Sequence, residues 1–339
     1  MADKLKVGLV GAGFIGKMHA NCWLALPNVE LAAVADGRPK ALKEVPGNPK
    51  TFATVDEMLD SADLDIVDVC VPTPAHADVV IEALQWGKHV LCEKPMAKSL
   101  EDCDRMIAAA EKAGTAFMVA HVIRFWPEYA YLKSVAESGK YGALKTYSCL
   151  RRMAVPMYNW QLWTHDESRA GGVPFEGQIH DVDFMRYLMG EPKSVTAVGI
   201  RNETGIAKIW GGFVYDGGRC ATVEGSWGYT PEYPFQHGYV AVFEEAVLDY
   251  ALHREPELRL YIPGKEMEGI KLAVTEVGKA DAGGNISDLG GYFKEIEYFA
   301  GCVAKGEMPT VTTPRDARES IRVLLAEVDA MDTGGAVKL

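Results

Sequence analysis

The chain has 339 residues and a formal net charge of −12, with a mass of 37.0 kDa and a pI near 5.2, a length that fits two packed domains better than one core. Its 48% hydrophobic and 24% charged residues are those of a folded globular protein rather than a disordered or fibrous one. The acidic balance, with no block of Lys and Arg, argues against nucleic acid or an anionic membrane as a partner.

The sequence MADKLKVGLVGAG enters a strand directly, with no charged leader and cleavage site, and no later segment has the length of a membrane span. The expected location is the cytoplasm. Seven cysteines form no CxxC pair and no tight Cys/His cluster in sequence, so neither a metal site nor a disulfide framework is expected.

The predicted elements begin with the strand KVGLV, a helix near Phe14 to Leu26, the strand VELAAVAD and a helix around Asp56 to Ser61. The strand DIVDVCVP, a helix from about Ala75 to Trp86, the strand HVLCEKP, a helix opened by Ser99 and the strand AFMVAHV follow. Continuous apolar strands alternating with helices predict a doubly wound parallel sheet covered on both faces, an α/β Rossmann unit. Ser99 with Asp102 resembles a capping box, and Gly114 suits the end of that helix.

After a helix at Glu128 to Ser138 the pattern becomes strand-rich, from LKTYSCLRRM to LRLYI, interrupted by one helix near Gln178 to Met189. This predicts a second, α+β domain with a large, mostly antiparallel open sheet, one face covered by that helix. An uncovered second face suggests a homodimer or homotetramer formed through it. The stretch DAGGNISDLGG, 281–291, reads as a loop, with closing helices near Tyr292 to Lys305 and Pro314 to Met331. The expected domains are 1–122 and 123–339, the last helices being candidates to pack back on the first.

In VGLVGAGFIGKMHA, Gly11, Gly13 and Gly16 have the GxGxxG spacing between a strand and a helix. Gly11 permits the turn, Gly13 lets a pyrophosphate approach the backbone, and Gly16 lets helix and strand pack closely. Phe14 and Ile15 open the helix whose N-terminus would face the phosphates. Asp36, ending the second strand, is placed to bind both ribose hydroxyls and to repel a 2′-phosphate, favouring NAD; Arg38 can reach such a phosphate, which keeps NADP open. Ligands of such sheets sit beyond the strands' carboxyl ends. Pro72, Thr73, Pro74 and His76 after one strand, and Glu93 and Lys94 after the next, are therefore expected to line the cofactor crevice.

These segments, with VCVPTPAHADVVIEALQWGKHVLCEKPMA, HVIRFWPEY, GGVPFEGQIHDVDFMRYLMGEP and GEMPTVTTPRDARESIRVLLAE, resemble the glucose-fructose oxidoreductase / inositol dehydrogenase / MocA (Gfo/Idh/MocA) family over nearly the whole chain. The resemblance implies a Rossmann domain followed by an open-sheet domain, and an NAD(P)-dependent enzyme transferring a hydride to or from a CH–OH carbon of a sugar, polyol or inositol-like substrate. It implies that Lys94 reaches the substrate hydroxyl beside the nicotinamide and that His180 is the acid/base, with Glu176 and Asp183 beside it. On a regular helix these three share one side, and a carboxylate next to an imidazole suits proton transfer. Family members usually carry Asp four residues before the histidine and a GGG run upstream. Here stand Glu176 and only Gly171-Gly172, and the extra methylene displaces the carboxylate by about 1.5 Å.

Among the aromatics Tyr158, Trp160 and Trp163, Trp163 is the first choice for stacking on a sugar, against an ordinary core role. His121 and Arg124 follow the last strand of the first domain and are candidates for substrate contact, Arg124 alternatively for bracing. Two other readings stand beside the dehydrogenase: a non-catalytic NAD(P)-binding regulator of the same fold, and an enzyme acting on a non-sugar substrate such as a dihydrodiol.

Overall fold

The computed structural model describes residues 4–157, 160–273, 277 and 289–339. Two compact units are formed by the described residues of Met1–Phe125, Tyr158–Trp163 and Thr275–Ile321, and of Trp126–Met157, Thr164–Val274 and Arg322–Leu339. No helix among the described residues is long and apolar enough to cross a membrane.

The first unit is built on strands β1 (Leu5–Val10), β2 (Val29–Ala35), β3 (Lys50–Phe52), β4 (Ile66–Val69), β5 (His89–Glu93) and β6 (Phe117–Ala120), in the spatial order β3-β2-β1-β4-β5-β6. All neighbouring pairs are parallel. Every residue of β4 and β6 is buried, as expected where helices cover both faces of a sheet. The order reverses between β1 and β4, and the carboxyl ends of strands at such a switch point form a ligand crevice. Ser99 Oγ accepts the Asp102 N–H at 3.1 Å, and Gly114 ends that helix at φ +68°. Both boundary signals in the sequence therefore operate.

The second unit holds β7 (Leu144–Ala154), β8 (Ser194–Asn202), β9 (Gly205–Val214), β10 (Cys220–Tyr229), β11 (Gln236–Phe243), β12 (Val247–Ala251), β13 (Leu258–Tyr261), β14 (Glu268–Ile270) and β15 (Val337–Lys338). Their order is β14-β13-β12-β11-β7-β10-β9-β8-β15. The sheet is antiparallel apart from β7 with β10. Its consecutive hairpins were readable as such; the insertion of β7 between the two hairpin series pairs segments distant in sequence, which no local pattern reports. Alternate residues of β7 are buried, and the helix Ile179–Met189 packs on β7 and β10. Beneath it Tyr129, Phe184 and Tyr239 form an edge-on aromatic core, with ring centroids 4.9 and 5.3 Å from Tyr129.

The opposite face is a trough of about 770 Å³ whose lining includes Ser148, Leu150, Val198, Trp210 and Val240. Two sequence expectations need adjustment. Gly290 and Gly291, read as loop, already belong to the helix Gly290–Lys305, while 281–288 lie outside the described residues. The helix expected from Gln178 is preceded by a wide π turn, Pro174–Gln178, in which the Ile179 N–H bonds the Pro174 carbonyl five residues back.

Candidate functional site

The glycine turn after β1 has the geometry a dinucleotide needs. Gly11 lies at φ +100°, and a Cβ there would come within 2.5 Å of the Cys70 carbonyl oxygen. A Cβ on Gly16 would stand 1.9 Å from the Gly11 oxygen, so helix and turn can approach only without a side chain. Around Gly13, by contrast, nothing lies nearer than Arg38 Nη2 at 4.0 Å. The following helix, Phe14–Ala25, has no side-chain cap and no acidic residue in its first turn. The open space a Cβ on Gly13 would meet and a first helical turn without acidic residues fit a bound pyrophosphate. Gly11, Gly13, Phe14, Ile15 and Gly16 are the residues that would hold it.

Asp36 stands at the end of β2, where its Oδ2 accepts the Ala12 N–H at 2.8 Å and so ties the strand end to the glycine turn. Arg38 binds the same carboxylate through Nε at 2.8 Å and Nη2 at 2.6 Å. Burial opposes the Asp36 charge, but Arg38 and the Ala12 amide outweigh it and hold the carboxyl below its usual range. The guanidinium also lies 5.4 Å from the centre of the Trp160 ring, a cation–π contact. Trp163 is half-buried, and Tyr158 lies outside the described residues.

The ends of β4 and β5 are joined by His76. Its Nδ1 lies 2.9 Å from the Pro95 oxygen and its Nε2 2.9 Å from the Val71 oxygen. Burial lowers its pKa against the pull of both carbonyls, and the ring bridges the two loops. Thr73 is buried nearby, while Pro72 is half-buried and Pro74 exposed. Glu93 is buried, and its Oε2 accepts the Lys94 N–H at 2.9 Å. Lys94 is half-exposed between buried Glu93 and buried Pro95.

His121 and Arg124 are both buried. Arg124 donates to the Val311 carbonyl at 2.5 Å and pairs with Asp316 at 2.6 Å. Both contacts lie within the first unit.

In the second unit, every residue from Gly172 to Arg186 is buried except Glu176 and His180. Glu176 lies in the π turn Pro174–Gln178 and His180 in the first turn of the helix that follows it. Asp183, three residues after His180 on the same helix, is fully buried. Asp181, which the motif reading passed over, accepts from Arg151 Nε at 2.7 Å and Nη2 at 3.2 Å. This pair is buried, with Arg151 flanked by the rings of Trp126 and Phe235. Burial lifts the Asp181 carboxyl above its usual range despite the pull of Arg151. On the other side, Gln178 Nε2 donates to Glu327 at 2.8 Å. Burial raises Glu327 to about 8 against that bond.

The sequence reading also missed His19, Asp68 and Trp23. Asp68 accepts from the Trp23 indole at 2.7 Å and from His19 Nδ1 at 2.9 Å. The available signal was an acid in the middle of the apolar strand DIVDVCVP, since a carboxylate buried in a parallel sheet requires partners. His19, Asp68 and Cys70 bring donor atoms within 4.8 Å of one another. These atoms are committed to hydrogen bonds; burial first, then Asp68, raises the Cys70 pKa and keeps the thiol protonated, a poor state for a metal ligand.

Lys94 belongs to the first unit, Glu176 and His180 to the second. Comparison with known proteins accounts for both. Residues 5–121 match the Gfo/Idh/MocA model described as an oxidoreductase family with an NAD-binding Rossmann fold, and 129–249 match the model of the Gfo/Idh/MocA C-terminal domain. A myo-inositol 2-dehydrogenase of Thermotoga maritima is 32% identical over 191 residues, 55% of this chain and 55% of that protein. A D-glucoside 3-dehydrogenase of Escherichia coli is 33% identical over 204 residues, 58% of each chain. The chain spans about half the length of the curated relatives it matches. The structure of a levoglucosan dehydrogenase in complex with NADH superposes with a TM-score of 0.85 at 21% identity, covering 99% of both chains, which shows a shared fold. The chain belongs to the Gfo/Idh/MocA oxidoreductase family, with an NAD-binding Rossmann domain followed by that family's C-terminal domain.

Proposed function

We propose that this protein is an NAD-dependent dehydrogenase or reductase acting on a hydroxyl-bearing carbon of a sugar, polyol or inositol-like molecule. One observation carries the reading. A single parallel sheet joins a phosphate-accepting helix N-terminus to a half-exposed lysine, Lys94, at the carboxyl end of β5. Relatives named as inositol and glucoside dehydrogenases support the substrate class.

A bound nicotinamide dinucleotide would accept or return the hydride. In the oxidative direction the substrate carbon loses hydride with its electron pair, the hydroxyl loses its proton, and a carbonyl remains. The Lys94 ammonium would stabilise the developing alkoxide. A ring nitrogen of His180 would take the proton, and the Glu176 carboxylate would stabilise the resulting imidazolium. Trp163 is the candidate for stacking on the sugar ring.

Asp36 would bind the adenine ribose, with Arg38 sharing the carboxylate it now grips. Fluorescence titration should therefore give tighter binding of NADH than of NADPH. A panel of sugars and polyols should then produce NADH, read at the nicotinamide band. Absence of NADH binding would sink the reading. Binding without turnover across the panel would favour the regulator, and a clear preference for NADPH would overturn the role given to Asp36.

The second unit's open sheet face extends the proposal to assembly. Val198, Ile200 and Val240 on this face are 68, 54 and 39% exposed, and such apolar strands call for a cover. A second copy of the chain is the proposed cover, giving a dimer or tetramer in sedimentation. Val198→Lys should weaken the assembly, and a parent protein that sediments as a monomer at micromolar concentration would refute it.

A further inference from the structure

We infer that His19 is a positioning residue: clamped between Asp68 and Glu93 by its two ring nitrogens, it fixes the Glu93 carboxylate that anchors the Lys94 main chain. The inference rests on the role proposed for Lys94. His19 lies one turn beyond Gly16 on the phosphate-facing helix and is fully buried, as is Asp68 on β4. Its Nδ1 is 2.9 Å from Asp68 Oδ2, and its Nε2 is 3.1 Å from Glu93 Oε1. The other Glu93 oxygen receives the Lys94 N–H at 2.9 Å. One imidazole thus links the helix that would hold the pyrophosphate, the middle of β4 and the end of β5.

The chemistry of the ring requires two hydrogens. An ionised carboxylate only accepts hydrogen bonds, so an imidazole facing one at each nitrogen must donate from both and is an imidazolium. The groups around it include Trp23 on its own helix, Asp68 from β4 and Cys70 directly after it, Glu93 from β5, and Tyr292, whose ring centre is 5.9 Å away on the helix Gly290–Lys305. Burial opposes the His19 charge, but Asp68 and Cys70 together outweigh it and raise the pKa well above the ordinary value. Burial likewise opposes the Glu93 charge, while His19 and then Lys94 hold its carboxyl below the usual range.

A buried carboxylate without this partner would protonate or turn outward to water. Turning outward releases the backbone just before Lys94, and protonation leaves the side chain that holds it without its fixed orientation. A displacement of about 1 Å at a catalytic group is enough to cost on the order of a hundredfold in rate. The helix Phe14–Ala25 also carries the glycine turn at its start, so a general packing defect at His19 would weaken cofactor binding as well as turnover. A positioning role predicts loss of turnover alone.

Imidazole ¹⁵N spectra of the apo protein test the clamp without reference to activity. Both nitrogens of His19, assigned by their response to Glu93→Gln, should remain protonated at about pH 8, above the ordinary imidazole range. A neutral His19 at that pH overturns the inference. In kinetics, His19→Gln and Glu93→Gln should each lower kcat at least about tenfold while the Kd for NADH stays within about twofold. Glu93→Gln keeps an oxygen for the Lys94 amide, so it serves if His19→Gln does not fold. If Lys94→Ala is inactive while Glu93→Gln turns over like the parent, or loses NADH affinity in parallel with kcat, the inference fails and the proposed function stands. If Lys94→Ala retains full turnover, the proposed function fails and the positioning role falls with it.

Discussion

Lys94→Ala should lower kcat/KM for a cognate alcohol by at least about a hundredfold, a loss of about 3 kcal/mol in transition-state stabilisation. The expectation follows from position and charge together. Lys94 follows directly on the carboxyl end of β5, between two buried residues, and is itself half-exposed. An ammonium at such an edge is worth most to an oxygen that gains negative charge as hydride departs, and little to the neutral hydroxyl of the ground state. The loss should therefore appear in kcat more than in KM. Lys94→Arg preserves the charge but replaces a compact ammonium by a planar fork, and should recover only part of the rate. Unchanged turnover in Lys94→Ala would remove the residue from the mechanism.

The largest expected effect on stability lies in the second unit, at Arg151. Arg151→Met should destabilise the protein by about 3–5 kcal/mol, because it leaves the Asp181 carboxylate buried without its partner. Asp181→Asn in the same chain should restore a large share of that loss, since the uncompensated charge is then gone. Urea unfolding of the two single variants and the double variant gives the coupling. Independent, additive effects would show that the pair does not act as a unit. The pH dependence has a definite sign. The Asp181 carboxyl is already raised in the folded protein by burial, against the pull of Arg151, and loss of Arg151 should raise it further. A carboxyl raised on folding contributes stability that is present below the unfolded pKa and is lost as pH rises through the folded one. The deficit of Arg151→Met should accordingly be smaller at about pH 5 than at about pH 8.

The consequence reaches the candidate acid/base, because Asp181 is the neighbour of His180 and Arg151 belongs to the central strand β7. Gln178, two residues before His180, is held from the other side by Glu327. The two half-exposed residues of this segment thus rest on an otherwise buried backbone to which the Arg151–Asp181 pair and the Gln178–Glu327 bond contribute support. Such support is what keeps a proton-transferring ring in one orientation.

Much of this was legible from local chemistry. Gly11 and Gly16 are demanded by contacts within a few residues or with the adjacent strand, so their spacing alone announced the turn. Asp36 ends its strand at the distance such a turn implies, and Ser99 and Gly114 bound their helix by contacts within the helix itself. The family resemblance rested on segments of this kind, and the architecture followed with it.

What only the tertiary structure decided depends on residues far apart in the chain. Glu93, which the sequence placed along the cofactor crevice, is buried against His19, a partner that lies 74 positions away. Glu176 falls in a π turn rather than in the regular helix that carries His180 and Asp183, a local widening that the residue spacing does not announce. Arg151 and Asp181 are 30 residues apart and meet only because β7 runs down the centre of its sheet beneath the helix Ile179–Met189. Backbone preferences and spacing act over a few residues and can be read in order. Buried charges must find partners wherever the fold brings them, so their pairing becomes visible only in three dimensions.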